Sequence, residues 1–227
     1  GALCVSYSGQ CYVSQHCFGR SANRGECAQF CRLKFDMIDS DGRMIEQGRH
    51  LLSLKDMNRG ADLERLLDAG VTSLKIEGRL KDVAYVKNVT AWYRSRLDEI
   101  FKRRPEYRRA SSGQVSLAFT PCLEKSFNRG FTRYFLDGRT PDIFSFHTPK
   151  SLGEEVGTVK EVRGKCIVVS GVKPFANGDG LCFLDEQGNL QGFRVNRVEA
   201  NKIYPAEMPR VRPHARLYRN FDKAFED

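Results

Sequence analysis

Apolar and polar positions follow two different rhythms along this chain of 227 residues, and the change between them divides it. Over residues 33–39 Leu33, Phe35 and Met37 alternate with polar neighbours, predicting a strand closed by a turn at Ser40, Asp41 and Gly42. An apolar run at 50–54 predicts a second strand, ending in Lys55, Asp56 and Met57. Leu63, Leu66 and Leu67 recur at helical spacing, so residues 62–69 predict a short helix with Gly70 as its stop. A third strand is expected over 71–76, running into Glu77, Gly78 and Arg79. Val83, Val86, Val89, Tyr93, Leu97 and Ile100 then recur every three or four residues. They predict a long amphipathic helix over 82–101 that buries that stripe. Strand, helix, strand, helix is the alternation that builds parallel sheets.

From residue 155 onward the rhythm is short β-strands. Segments 156–162, 166–169, 181–184, 192–198 and 215–218 read as strands, with turns marked by Gly164, Asn177, Gly178 and Asn189. Strands so evenly spaced predict a small barrel or sandwich, with Val156, Val159, Ile167, Val169, Leu181, Phe183 and Val195 in its core. The stretch between the two rhythms follows neither. It places Arg103, Arg104, Arg108 and Arg109 in one group, and Arg129, Phe131 and Arg133 in another. Arginines interleaved with aromatics suit phosphate contact plus base stacking; a solvated linker followed by an ordinary strand produces the same pattern. The resulting division is 1–104, a Cys-rich loop and α/β region; 105–150, a basic aromatic connector; and 151–227, a small β-barrel domain.

Composition adds exclusions. With 41% hydrophobic and 29% charged residues the chain is neither collagen, long coiled coil nor wholly disordered. No apolar run is long enough to cross a membrane as a helix. The 37 basic against 28 acidic residues favour a polyanionic partner without naming one. The chain opens Gly-Ala-Leu-Cys with neither an initiator Met nor a signal-peptide pattern. It therefore reads as a piece of a longer cytoplasmic protein, with an N-terminal part missing.

The cysteines carry the candidate chemistry. Five of eight, Cys4, Cys11, Cys17, Cys27 and Cys31, fall in the first 31 residues. Clustered thiols in a chain without a secretion signal point to metal or redox chemistry rather than a disulfide framework. The spacing Cys-x6-Cys, then Cys-x3-Cys after a gap of 15, lacks the paired short spacings usual for zinc. An iron–sulfur cluster, a zinc site and reduced structural thiols remain as the three readings, with Cys17 set aside as a buried bystander.

Ala2, Leu3, Cys4, Gly9, Cys11, Val13 and Ser14 fall at the spacing of a signature from the collagenase-like peptidase family, whose members are peptidases of unknown catalytic type. Gly19-Arg-Ser-Ala-Asn-Arg-Gly25, Cys27-Ala-Gln-Phe-Cys-Arg32, Ser53-Leu-Lys-Asp-Met57, Ser73-Leu-Lys-Ile-Glu-Gly-Arg79 and Phe127-Asn-Arg-Gly-Phe-Thr-Arg133 extend the resemblance, and so does the segment at 153–158. The resemblance implies an α/β plus all-β fold: the C-terminal half of a (β/α)8-type barrel, then a small β-barrel domain. It implies that Cys4, Cys11, Cys27 and Cys31 ligate a cluster of the four-iron type. Barrel enzymes keep their chemistry at the C-terminal ends of strands. That rule makes Lys55, Asp56, Glu77 and Arg79 catalytic candidates, with Lys75 beside them; salt bridges closing a barrel rim are the plain alternative.

Two functions from different classes compete. The family name implies proteolysis. Members similar in sequence act in hydroxylation of ribosomal RNA or tRNA, or of ubiquinone, with iron–sulfur clusters and with prephenate implicated as a hydroxyl source. No Gly-x-Ser-x-Gly elbow or His-Glu-x-x-His helix is present, and the basic charge fits RNA. The expectation is an RNA-directed hydroxylation enzyme, contacting ribosomal RNA or tRNA through Arg103, Arg104, Arg108, Arg109, Arg129, Phe131 and Arg133. Peptidase is the alternative, and a non-catalytic RNA-binding fragment is a third reading.

Overall fold

The computed structural model describes residues 1–7, 10–78, 80–171 and 173–226. Its N-terminal part is lightly built. Helix α1 (Val13–Phe18) is followed by the antiparallel hairpin of β1 (Phe35–Ile38) and β2 (Met44–Arg49). Asp39 shapes the turn: its Oδ1 accepts the backbone N–H groups of Asp41 and Arg43, and Gly42 takes the left-handed conformation (φ +79°). The expected strand at 50–54 does not form. The sheet hydrogen bonds are used by the preceding residues of that hairpin, and 50–54 turns instead, with Ser53 N–H bonding His50 O. Strand β3 (Asp56–Met57) follows, and helix α2 (Leu63–Asp68) appears where the leucine spacing placed it.

Residues 71–76 also fail to become a strand. Leu74 and Ile76 are exposed, and no strand among the described residues pairs with this segment, so its backbone groups find no ladder. The one parallel pairing among the described residues is two residues long, between β3 and β4 (Phe131–Thr132).

Helix α3 (Val83–Arg103) is capped by Asp82, whose carboxylate accepts the Tyr85 N–H at 2.7 Å. Its buried face keeps Val89 and Ile100 of the expected stripe, with Tyr93 and Leu97 half-buried, but not the first two valines. Val83 is 82% exposed and Val86 is exposed, while Tyr85, Asn88, Val89, Ala91 and Ile100 are buried. The helix is turned by Asn88. Its amide bonds Cys122 O and Ser126 Oγ, each at 2.6 Å, and accepts the Cys122 N–H at 2.8 Å. A polar anchor of this kind leaves no trace in hydrophobic periodicity. Tyr85, Val89 and Leu123 then form a small core with Trp92, Tyr93, Phe127 and Phe131 packed on it. Gly60 is required here, since a Cβ would lie 2.2 Å from the Trp92 ring.

The remaining strands are β5 (Glu154–Arg163), β6 (Cys166–Ser170), β7 (Gly180–Leu184), β8 (Leu190–Glu199), β9 (Lys202–Pro205) and β10 (Arg216–Phe221). All pair antiparallel in the order β10-β5-β6-β9-β8-β7, and β7 pairs back to β10, closing a barrel. Closure removes the free edges. Val156, Val159, Ile167, Val169, Leu181, Phe183 and Val195 fill the interior, joined by Ile203, Val211 and Leu217. At one mouth the buried Arg219 pairs with Glu154 (2.6 Å), Asp222 (3.2 Å) and Asp179 (3.3 Å). Lys125 reaches Asp222 at 2.7 Å, tying the connector to the barrel.

Candidate functional site

The N-terminal loop is held by a few specific bonds. Ser14 is buried on α1, and its Oγ accepts the Ala28 N–H at 2.8 Å, drawing the second cysteine pair back toward the helix. Arg20 bonds Glu26 O (3.0 Å) and Cys27 O (3.4 Å). Phe18, Phe30 and Phe35 pack in series, with centroids 6.1 and 5.0 Å apart. All eight cysteines are free thiols.

Cys31 reports the outcome. Burial raises its pKa; Arg32 opposes this, while Cys4, Cys27 and Cys11 each add to the rise. Those are the four expected ligands, and Cys17, exposed on α1, is not among them. The four thiols thus share one electrostatic neighbourhood. Among the described residues, no three His, Cys, Asp or Glu side chains are gathered tightly enough to hold a metal ion as they stand.

Arg32 connects this loop to the end of β3. Its Nη1 donates to Ser53 Oγ and Leu54 O, and its Nη2 to Leu3 O, all at 3.0 Å. Beyond it lies the main ion pair. Asp56 is 2% exposed and accepts from Arg129 Nε (3.0 Å), Nη2 (2.8 Å) and backbone N–H (2.9 Å). Lys81 stands close by, half-buried, with Nζ 2.9 Å from the centre of the Phe127 ring and 5.8 Å from that of Tyr85. Burial lowers its pKa to about 8; Arg129 and Arg32 push the same way, and Asp56 and Asp82 oppose. Burial likewise raises Tyr85 to about 12.

The other expected catalytic residues are dispersed. Lys55 pairs with Asp142, and Lys75 is exposed on the irregular 71–78 segment. Glu77 is half-buried, and its backbone oxygen accepts the Tyr85 hydroxyl at 3.3 Å. Arg79 lies outside the described residues. Asp56 is a paired, buried carboxylate rather than one open to a substrate proton.

The arginine set needs two corrections as an RNA surface. Arg129 is 5% exposed and its guanidinium is held by Asp56, so it faces no phosphate. Phe131 is half-buried against Tyr85, Val89 and Leu123, so it offers no open stacking face. Arg133 pairs with Asp62 and Asp137, Arg103 with Glu64, and Arg104 with Asp68 and Glu106. Arg108 is exposed, and the buried Nε of Arg109 has no partner. Arg32, Lys81 and Tyr85 were missed in the sequence. Their signal was adjacency alone: Arg32 follows Cys31, and Lys81 and Tyr85 flank the start of α3.

A wide groove on the barrel, between the β7–β8 hairpin and residues 206–215, has mixed charge. Arg194, Arg210 and Arg212 face Asp185, Glu186 and Glu207, and Arg212 pairs with Glu186. No helix among the described residues is long and apolar enough to cross a membrane.

Comparison with known proteins adds the following. The model of Peptidase family U32 matches residues 1–144. The chain is 48% identical over 231 residues to the 23S rRNA 5-hydroxycytidine C2501 synthase of Escherichia coli, covering 98% of this chain and 35% of that protein. It is 32% identical over 169 residues to tRNA hydroxylation protein P1 of Bacillus subtilis, covering 70% of this chain and 38% of that protein. It is 31% identical over 255 residues to a collagenase of Porphyromonas gingivalis, covering 100% of this chain and 65% of that protein. No solved structure matches the chain.

Proposed function

This chain belongs to peptidase family U32, and from that premise we propose that it carries the thiol site and an appended β-barrel of an enzyme hydroxylating a cytidine of ribosomal RNA. One observation carries the reading: the 48% identity to the rRNA 5-hydroxycytidine synthase extends over 98% of this chain, thiol loop and barrel alike. The chain spans 35% of that relative's length, so the activity belongs to a larger protein. In this reading residues 1–104 contribute to a (β/α)8-type barrel completed by the rest of that protein.

The donor chemistry fits an iron–sulfur cluster. Four free, soft thiols at Cys4, Cys11, Cys27 and Cys31 share one neighbourhood with a cation, Arg32, beside them. When bound, such a cluster supplies one-electron chemistry. The chain's own residues provide the setting. Arg32 fixes the thiol loop against the end of β3 through three backbone and hydroxyl contacts. Arg129 locks Asp56, so the strand end that Arg32 grips is stiff. Prephenate is the hydroxyl source the family resemblance suggests, and the cytoplasm the compartment.

RNA contact in this account falls outside the barrel. Residues 151–227 hold twelve basic against eleven acidic side chains, so nearly all the net positive charge lies in 1–150. Among the described residues Arg108, Arg109 and Arg139 are the connector arginines without a carboxylate partner, and Arg108 and Arg109 are the proposed phosphate contacts.

A second reading, proteolysis, is favoured by the 31% identity over the whole chain to the Porphyromonas gingivalis collagenase. One paired assay separates them. The intact protein is tested for salt-dependent binding to ribosomal RNA fragments and for cleavage of gelatin. Binding that falls steeply with salt, without cleavage, is expected; cleavage without RNA binding establishes the peptidase.

A further inference from the structure

Closure of the barrel removes its edge strands, yet half of β8 is paired on one side only. β8 runs ten residues beside neighbours of five and four: β7 covers 190–194 and β9 covers 195–199. Hydrogen bonds fix which way its backbone faces. Val195 N–H donates to Asp179 O on the β7 side, and Arg194 O accepts the Ala206 N–H on the β9 side, both at 2.9 Å. Backbone groups alternate along an antiparallel strand, so Gly192 turns its N–H and C=O to the same side as Arg194. No strand among the described residues pairs with Gly192 there. After Pro205 the chain leaves β8, and residues 206–215 form the opposite wall of a groove of ≈ 1180 Å³. That wall does not close on β8. Pro209 and Pro213 have no N–H, Val211 is buried in the barrel core, and His214 donates its N–H to Val159 O at 2.7 Å. Gly192 is exposed and carries no side chain, which leaves room for another backbone to approach.

We propose that the groove between β8 and residues 206–215 binds an extended segment of a partner protein, which adds a strand to the open edge at Gly192. A strand edge offers N–H and C=O groups in alternation, and a peptide backbone matches both. The phosphates of an RNA chain only accept. Charge points the same way: Arg194, Arg210 and Arg212 stand against Asp185, Glu186 and Glu207, a balance that gives no pull on a polyanion. A strand already built into a sheet, such as β8 of a second copy, brings a neighbour along, and residues 206–215 stand in that neighbour's place. The half-buried Phe193 and the exposed Met208 line the groove, so the occupant carries apolar side chains at alternate positions. This partner site stands apart from the hydroxylation reading, since its test reads peptide binding alone.

The probe is a short fluorescein-labelled peptide alternating valine with glutamate and lysine, titrated into the intact protein and read by anisotropy. Saturable binding is expected. Two N-methylated versions, blocked at alternate sets of amides, test the ladder. Only one set of amides faces β8, so one version should bind about tenfold more weakly and the other as the parent does. Gly192→Pro removes an N–H that no barrel strand uses and should weaken binding about tenfold as well. Gly192→Ala keeps that N–H, meets only Leu181 O at 3.6 Å, and should bind as the wild type does. Circular dichroism checks that both variants keep the barrel, and the N-methylated pair decides alone if Gly192→Pro does not fold. The proposal is overturned by no binding of the parent peptide, by equal binding of the two methylated versions, or by wild-type binding in a folded Gly192→Pro. Displacement of the peptide by a short single-stranded RNA also overturns it, assigning the groove to nucleic acid.

Discussion

Asp56 and Arg129, 73 residues apart in sequence, meet in a buried ion pair closed by three hydrogen bonds of 2.8–3.0 Å. The pair sits where β3 and β4 run parallel, and it joins the thiol side of the molecule to the connector. Removing either partner strands a buried charge. Asp56→Asn or Arg129→Ala should therefore destabilise by about 3–5 kcal/mol, and the two together by much less than the sum. Denaturant unfolding of both variants and of the double variant checks this; strictly additive losses would show that the two residues act independently.

Asn88 is the second hidden anchor. It is 2% exposed and makes three hydrogen bonds to Cys122 and Ser126, so Asn88→Leu leaves buried backbone groups unpaired. The expected loss is about 1–3 kcal/mol, read from the thermal or denaturant midpoint. Val83→Ala, on the exposed side of the same helix, should change stability by less than about 0.5 kcal/mol. Equal effects would place Val83 on the buried face.

These two anchors explain what the sequence concealed. Short, evenly spaced apolar segments and turn residues made the barrel legible, although Cys166–Val169 and Leu181–Phe183 are buried at consecutive positions and only strands such as β5 alternate at Val156 and its neighbours. The thiol set rests on spacing within a resemblance, and burial with Cys4, Cys27 and Cys11 nearby raises the pKa of Cys31. The α/β half was less legible. Residues 50–54 and 71–76 are apolar enough for strands, yet a strand also needs a partner, which composition does not reveal. Arg129 looked like a phosphate contact because Asp56, its actual partner, lies 73 positions away. Lys81 carried no motif at all; its character comes from Phe127 and burial.

The pH dependence of Lys81 follows from its setting. Its folded pKa, about 8, lies below the ordinary 10.5, so between those values the unfolded chain binds more protons there. Stability contributed by this position therefore rises as pH increases from about 8 toward 10. Because the site is half-exposed, the gain is on the order of 1 kcal/mol. Unfolding free energies of the wild type and Lys81→Met, compared across that range, check it. The difference should move in favour of the wild type as pH rises, and a flat difference would remove the burial account.

Arg108 should behave as a phosphate contact and Arg129 should not. For RNA binding, Arg108→Ala is expected to reduce the slope of log affinity against log salt by about 0.7, without altering sequence preference. A folded Arg129→Lys variant should leave the slope unchanged. Equal slopes for the wild type and Arg108→Ala would move the RNA surface elsewhere.

In the proposed function, cytidine hydroxylation depends on the four thiols Cys4, Cys11, Cys27 and Cys31. Its most direct measurement is the 5-hydroxycytidine content of ribosomal RNA, by nucleoside mass spectrometry, in cells lacking the protein and complemented with variants. The wild type and Cys17→Ser should restore the modified nucleoside, whereas Cys4→Ser, Cys11→Ser, Cys27→Ser and Cys31→Ser should not. Restoration by Cys31→Ser, or an undiminished level in cells lacking the protein, would contradict the account.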